Sequence, residues 1–535
     1  MIFIIIFIIC SFILLVFKGK KYLHMLQQNL YNENNRYLSW LGKNYKYFFD
    51  ADLVILFLAI LGYFVFYDLK IYGNICLLIM SIIALVLAFV WKGRIQNDQN
   101  KKPLVVTPRV KRLIVTTSIL YLIVLVILFV TKSLEIRWLM ILIFSVMMYL
   151  FSIIIVISNI INKPVEGFVT LYYRTKAVNK LKSINGLKVI GITGSYGKTS
   201  SKNILADILN VKYNTFPSPR NLNTPKGLMT AINNNLDKFC EIFIAEMGAY
   251  KRGEIKELCD FVHPKYGILT RIGTAHMMTF GSQENIQKGK FELVESLPSD
   301  GFAVLNGDDP LQVNYNLKNK VKIIWIGIDN KDVDVRADNI RCNNKGTTFD
   351  CYFKGDDKKY TFTTKLLGNH NVYNILAGIA FGKEFGISIE DLQTSVSAVK
   401  AVEHRLELKK LGNFYQIDDA YNSNPVGAKS AVDVLGMMEG VRVVVTPGMI
   451  ELGEKEDEYN KEFGKQISEV ADYVILVGEK KTKPIYDGLL EKGFDKEKIM
   501  VLNDVRKAYT FISDLANDNE VYALFENDLP DTFNE

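Results

Sequence analysis

The chain has 535 residues, 49% of them hydrophobic, a net charge of +7 and a mean hydropathy of +0.11. That balance suits neither a wholly soluble enzyme nor a many-helix transporter, and it indicates two regimes in one chain. Residues 1–165 carry 17 Lys and Arg against 6 Asp and Glu, a net of +11 that leaves −4 for the remainder. No basic face with interleaved aromatics follows, so nucleic acid is excluded as a partner.

Five apolar runs occupy residues 1–165: Met1–Phe17, Ala51–Tyr67, Ile75–Trp91, Leu113–Val130 and Trp138–Ile161. At about 17–25 residues each is long enough to cross a bilayer as a helix, so this part is read as a five-span transmembrane region. The first run has no basic segment before it and no small-residue cleavage site, so it is expected to be retained with its N-terminus outside. Lys18, Lys20, Lys21, Arg36, Lys43 and Lys46 follow the first run, and Lys92, Arg94, Lys101, Lys102, Arg109, Lys111 and Arg112 follow the third. Lys and Arg stay on the cytoplasmic side, so the expected location is a multi-pass cell-membrane protein with everything after the fifth span in the cytoplasm. The basic loops are expected against anionic lipid headgroups or as topology signals alone. Only Asp52, at the edge of the second run, is ionisable within the spans, which argues for an anchor or an apolar floor rather than a transport path. Residues 166–186 read as an amphipathic linker helix, with Phe168, Leu171, Tyr172 and Leu181 against Arg174, Lys176 and Lys180.

From about Leu187 the pattern changes to strands alternating with helices, the rhythm of a mainly parallel α/β sheet. Gly191-Ile-Thr-Gly-Ser-Tyr-Gly-Lys-Thr-Ser200 lies between an apolar strand and a helical pattern. Glycines there let backbone N–H groups close on phosphate oxygens, Lys198 adds mobile positive charge, Thr199 offers a hydroxyl to Mg²⁺, and the helix N-terminus adds its dipole. Gly194, Ser195, Tyr196, Gly197, Lys198, Thr199 and Ser200 are therefore the expected cradle of a nucleoside triphosphate and its Mg²⁺. Ile192 stands where the usual GxxxxGK[ST] motif has its first glycine. Glu246 ends the apolar run Glu241–Ala245 and is a candidate Mg²⁺ ligand; His276, after the run Tyr266–Thr270, could serve the same or a second ion; Lys290 opens an apolar helix. Six cysteines show no metal spacing, and a cytoplasmic setting favours free thiols, Cys342 and Cys351 included.

Those residues, taken in order, resemble the Mur ligases, ATP-dependent amide-forming enzymes of peptidoglycan synthesis. The matching stretches are Thr193–Thr199, Asn221-Leu-Asn223, Ala245–Gly248, Thr274–His276 with Phe280–Ser282, Gly289-Lys290, Gly368–Ala377, Glu403–Arg405, Asp418–Pro425 and Gly448–Gly453. Within the family the chain is most similar to the branch that adds D-alanyl-D-alanine to the UDP-muramyl tripeptide. The resemblance implies a P-loop-type central ATPase domain over 187–400 and a Rossmann-like C-terminal α/β domain over 401–535. It implies a catalytic role for Lys198, Lys290 and His276, metal binding by Thr199, Glu246, His276 and Lys290, with Lys290 carbamylated, base contacts from Asn371 and Asn374, and phosphate and ribose contacts from Arg405 and Asp419. The expected reaction is attack of a carboxylate on ATP, giving an acyl phosphate that an amine converts to an amide. The expected partners are ATP, a muramyl peptide or a lipid-linked or polymer acid, an amine such as D-alanyl-D-alanine, and membrane lipids. Two departures stand out: spans replace the family's UDP-sugar domain, and Phe525-Glu-Asn-Asp-Leu-Pro530 stands where the branch has a Lys-Gly-Ser type segment. An acceptor related to poly-γ-glutamate and a nucleotide-sensing membrane protein without catalysis are the rival readings.

Overall fold

The computed structural model of the chain describes every residue except 33–35, 46–49, 67–69, 97–102, 221, 403, 421–422, 451, 453–454 and 528–535. Lys46, Tyr67, Lys101, Lys102, Asn221, Glu403, Tyr421, Asn422, Glu451, Gly453 and 528–530, all used above, lie outside the described residues. The chain divides into two units, Met1–Tyr172 and Tyr173–Glu535.

The first unit is helical: α1 (Ile2–Gln28), α2 (Leu38–Lys43), α3 (Leu53–Leu61), α4 (Lys70–Gln96), α5 (Pro108–Val130), α6 (Leu134–Tyr149) and α7 (Phe151–Ser183). Among the described residues four helices, α1, α4, α5 and α7, are long and apolar enough to cross a membrane, where the sequence suggested five spans. The second expected span is α3, nine residues followed by a π-turn over Gly62–Phe66. At 1.5 Å per residue such a helix is about half the thickness of a hydrocarbon core. The fifth is interrupted at Leu150 because its carbonyls are diverted: the Tyr121 hydroxyl donates to Met147 O at 2.9 Å and Lys18 Nζ to Met148 O at 3.4 Å. Removing those acceptors from the i to i−4 ladder breaks the helix without proline.

Lys18 differs from its expected place in a headgroup-facing loop. Helix α1 continues past Phe17, so Lys18 is 1% exposed and ion-paired to Asp52 at 2%. Asp50 accepts from Trp91 Nε1 at 2.7 Å and Arg94 Nη1 at 2.9 Å, and the Arg109 guanidinium lies 3.9 Å from the Tyr31 ring centroid. The unit's exterior remains apolar, with Ile9, Val16, Phe57, Ile82 and Phe89 among many exposed large side chains, and a monomer in water rarely shows so much. The linker is not a separate element: α7 runs unbroken through Pro164 to Ser183. Phe168, Leu171 and Tyr172 on it are exposed, whereas Leu181, expected on their face, packs with Ala177, Val178 and Ile184 into the core of the second unit.

The second unit holds two sheets. In chain order the first is built from β1 (Lys188–Thr193), β2 (Thr215–Pro217), β3 (Ile242–Glu246), β4 (Tyr266–Leu269), β5 (Phe302–Asn306), β6 (Lys322–Gly327), β7 (Val335–Asn343), β8 (Gly346–Phe353) and β9 (Tyr360–Thr364). Its spatial order is β2-β3-β1-β4-β5-β6-β7-β8-β9, parallel through β7 and antiparallel after it. The β1 and β3 strands read as near-continuous apolar runs because both faces of a parallel sheet are covered; β3 is buried along its whole length. The second sheet comprises β10 (Glu407–Leu411), β11 (Phe414–Asp419), β12 (Val441–Thr446), β13 (Tyr473–Val477), β14 (Ile499–Leu502) and β15 (Val521–Glu526), in the order β10-β11-β15-β12-β13-β14. Only β10 is antiparallel. The expected α/β class is thus what the fold shows. All six cysteines are free, and Cys342 lies opposite Thr347 rather than Cys351.

Candidate active site

The phosphate loop, Gly194–Gly197, leaves the carboxyl end of β1 and enters helix α8 (Lys198–Leu209). Thr270, just past β4, shapes it: its Oγ1 donates to Tyr196 O at 2.6 Å, and Ser195 N donates to Arg271 O at 2.9 Å. A Cβ on Gly194 would stand 1.8 Å from that Oγ1, so no other residue fits. Gly197 has φ +79°, the left-handed region glycine tolerates, and this turns the next N–H groups toward the helix start. Lys198 Nζ donates to Gly194 O at 2.9 Å and Ser195 O at 3.2 Å, folding its ammonium over the loop. Thr199 and Ser200 occupy the first turn of α8.

Glu246 ends β3, beside β1 in register with Ile192, and is 1% exposed. Both its oxygens are engaged: Lys202 Nζ donates to Oε2 at 3.1 Å and Asn223 Nδ2 to Oε1 at 3.0 Å. Lys202, one turn beyond Lys198 on α8 and also 1% exposed, bonds Arg220 O at 2.6 Å as well. Burial lowers its pKa, against the pull of Glu246. Sequence reasoning overlooked Lys202; its spacing of four from Lys198 placed it on the same helix face, the one available signal.

His276 caps the short helix Met277–Phe280 with φ +62°, its ring 4.5 Å from that of Tyr250. Burial and then the Lys290 and Lys198 ammonium groups lower its pKa, favouring the neutral imidazole a metal needs. Lys290, expected to open its helix, instead lies midway along Gln283–Glu295 because Ser282 caps the helix a turn and more earlier; it is 1% exposed, with Nζ 3.5 Å from Ala249 O and 5.4 Å from the Phe280 ring centroid. Burial, followed by Lys198, brings its pKa down to about 7. The pKa of Lys198 is lowered by burial, raised by Glu246 and lowered again by Arg405. Lys198, Glu246, His276, Lys290 and Arg405 are thereby drawn into one electrostatic neighbourhood.

Asn371 and Asn374 lie on the helix Asn369–Glu384, both buried, and come to the start of α8: the Ser201 hydroxyl donates to Asn374 Oδ1. Asn371 Nδ2 donates to Leu367 O at 2.9 Å. Asp419 stands at the carboxyl end of β11, where its Oδ1 accepts from Leu406 N at 3.1 Å; burial raises its pKa to about 6.

Among the described residues no three His, Cys, Asp or Glu side chains approach closely enough to hold a metal ion by themselves. The donor set still fits Mg²⁺, which is usually bound through one or two carboxylates plus phosphate and water oxygens. Each Glu246 oxygen keeps a second lone pair beyond its hydrogen bond, and His276 is pushed toward its neutral form.

A family model described as the Mur ligase middle domain matches residues 192–382, and the Mur ligase, glutamate ligase domain model matches 404–525. The UDP-N-acetylmuramoyl-tripeptide--D-alanyl-D-alanine ligase of Bacillus subtilis is 35% identical over 319 residues, 59% of this chain and 67% of that protein. Its Escherichia coli counterpart is 30% identical over 296 residues, 55% of this chain and 65% of that protein. The chain therefore spans about two thirds of the length of these relatives. Among solved structures, MurF ligase of Thermotoga maritima in complex with ADP superimposes with TM-score 0.58 at 26% identity, covering 67% of this chain and 80% of that one. A MurF structure from Acinetobacter baumannii gives 0.58 at 25% identity, with 67% and 77% covered.

Proposed function

Because the chain belongs to the Mur ligase family of ATP-dependent ligases, we propose that it joins D-alanyl-D-alanine to a muramyl tripeptide at the cytoplasmic membrane face. The observation that supports this reading is the electrostatic coupling of Lys198 to Glu246, His276 and Lys290, beside a glycine loop at the carboxyl end of β1. The central domain, residues 187–400, acts as a P-loop-type ATPase, and 401–535 forms the Rossmann-like partner domain.

Gly194–Ser200 hold the ATP phosphates through backbone N–H groups, and Lys198 exchanges its contacts with Gly194 O and Ser195 O for phosphate oxygens. Mg²⁺, when bound, draws charge off the phosphoryl oxygens. Thr199, Glu246 and His276 would be its protein ligands. Lys290 near neutral pH is an amine able to add to CO₂ and release a proton; the resulting carbamate would supply anionic oxygens where an ammonium would repel the metal. Asn371 and Asn374 contact the base, Arg405 the phosphates and Asp419 the ribose. The substrate carboxylate attacks the γ-phosphorus and ADP departs, leaving an acyl phosphate. The amine then adds to the acyl carbon, loses a proton, and expels inorganic phosphate as the amide forms. Fixed positive charge does the stabilising, so no side-chain nucleophile is required.

The four long apolar helices of Met1–Tyr172 favour one variant of this reading, in which the acceptor is lipid-linked and presented by the membrane that the helices occupy.

The test is incubation of the detergent-solubilised full chain with ATP, Mg²⁺, D-alanyl-D-alanine and either UDP-muramyl tripeptide or its lipid-linked form, followed by product mass and phosphate release. One amide product per phosphate is expected from at least one acceptor. Lys198→Ala should lower phosphate release by about 10²-fold or more, the scale of losing one charge-stabilising donor. Phosphate release at the wild-type rate from that variant would refute the assignment.

A further inference from the structure

In an open sheet of parallel strands, ligands bind outside the carboxyl ends where successive connections depart in opposite directions. In the second sheet that place is β11-β15-β12: the chain passes from β11 to β12, continues outward to β13 and β14, and returns to insert β15 between the first two. Two acids end the adjacent strands there, since Asp419 and Glu526 are register partners.

Glu526 is 1% exposed. Its Oε1 accepts from Ser423 Oγ at 2.6 Å. Among the described residues no N–H or O–H donor reaches its Oε2. The second polar neighbour of this carboxyl is the Asp419 carboxyl, and two carboxyls bond only by sharing a proton; burial, and then Asp419, raise the Glu526 pKa well above the usual carboxylate range. The cation that acts on Asp419 is Arg405, which also acts on Lys198 at the start of α8. Asp418, the other acid at this edge, is taken up by Lys409 Nζ at 2.8 Å and His404 Nδ1 at 2.9 Å.

A substrate ammonium would enter the field of Arg405, whereas a neutral diol meets no such penalty. Two adjacent carboxyls sharing a proton offer acceptors for two hydroxyl hydrogens. We propose that Glu526 is a second sugar-reading group which, with Asp419, holds the 2′- and 3′-hydroxyls of the nucleotide ribose and makes the chain select ribonucleotides over deoxyribonucleotides. This rests on the reading of Asp419 as a ribose contact given above. It was not visible from the last strand alone, because the pairing with Asp419 depends on the sheet register.

The experiment is calorimetric titration of the full chain with ADP, 2′-deoxy-ADP and 3′-deoxy-ADP in Mg²⁺, for wild type, Glu526→Gln, Glu526→Asp and Asp419→Asn. Wild type should prefer ADP over the deoxynucleotides by about 10–100-fold, the worth of a hydrogen bond to a charged group. Glu526→Gln should reduce the preference against one deoxynucleotide to within about threefold while binding that deoxynucleotide as wild type does; Glu526→Asp, which withdraws the oxygens without removing the acid, should do the same. If wild type does not discriminate, or Asp419→Asn keeps full discrimination, the ribose reading of Asp419 fails. If Asp419→Asn loses discrimination and both Glu526 variants keep it, the role of Glu526 fails alone. Equal weakening toward all three nucleotides marks a packing role and overturns the proposal, as does an effect confined to D-alanyl-D-alanine.

Discussion

Replacing Lys202 with methionine removes an ammonium 3.1 Å from Glu246 Oε2 and 2.6 Å from Arg220 O while keeping most of the side-chain volume. Both charged partners are 1% exposed, so the variant leaves a carboxylate buried without its cation. Breaking a buried pair from one side costs about 3–5 kcal/mol. Because about 1.4 kcal/mol is a factor of ten, the lower figure corresponds to roughly 10²-fold more frequent local opening. Hydrogen exchange read by mass spectrometry on the full chain measures this directly: amides of β3, Ile242–Glu246, and of α8 should exchange about 10²-fold faster, with those of β12 and β13 unchanged. Adding Glu246→Gln should restore much of the protection, since a neutral pair of similar volume carries no stranded charge. Wild-type exchange in Lys202→Met, or a double variant opening as fast as the single one, would refute the reasoning.

Two further outcomes follow from the same unit. Lys290 has a folded pKa of about 7, below its unfolded value, so between about pH 7 and 10.5 the unfolded chain binds more protons and stability rises with pH. Urea midpoints measured across that window should show the slope diminished in Lys290→Met, and bicarbonate labelled at carbon should yield a carbamate NMR signal in wild type that grows above about pH 7; no signal at any pH would remove carbamylation from the mechanism. A chain starting at Tyr173 should bind ADP like the full protein. One starting at Leu187 should melt lower, because it discards Ala177, Val178, Leu181 and Ile184 from the core around Phe261 and Val262; identical melting temperatures would show that this packing contributes nothing.

The strand, glycine loop and helix at 188–209 were legible because their signals are local: an apolar run, glycines where backbone must approach closely, and an amphipathic pattern. The α/β class was legible for the same reason. The count of spans was not, since hydropathy registers neither the Tyr121 hydroxyl that takes Met147 O nor the helical continuation that carries Lys18 to Asp52. Lys202 and Glu526 were missed because their meaning lies in partners 44 and 107 positions away, fixed by how β3 meets α8 and how β15 meets β11. Lys290, in contrast, was singled out from its place in the chain, and its burial supplies the physical reason for an amine that is half deprotonated near pH 7.

The place of β15 in its sheet bears on how the protein is made. It arrives last in chain order yet lies between β11 and β12, so neither of those strands has its inner neighbour when it leaves the ribosome. From Thr446 to Val521 the ribosome needs about 4–15 s, and throughout that interval β11 and β12 present unpaired inner edges. The middle of the second sheet therefore closes only when the last strand is made, and a premature stop before residue 521 would leave it permanently open.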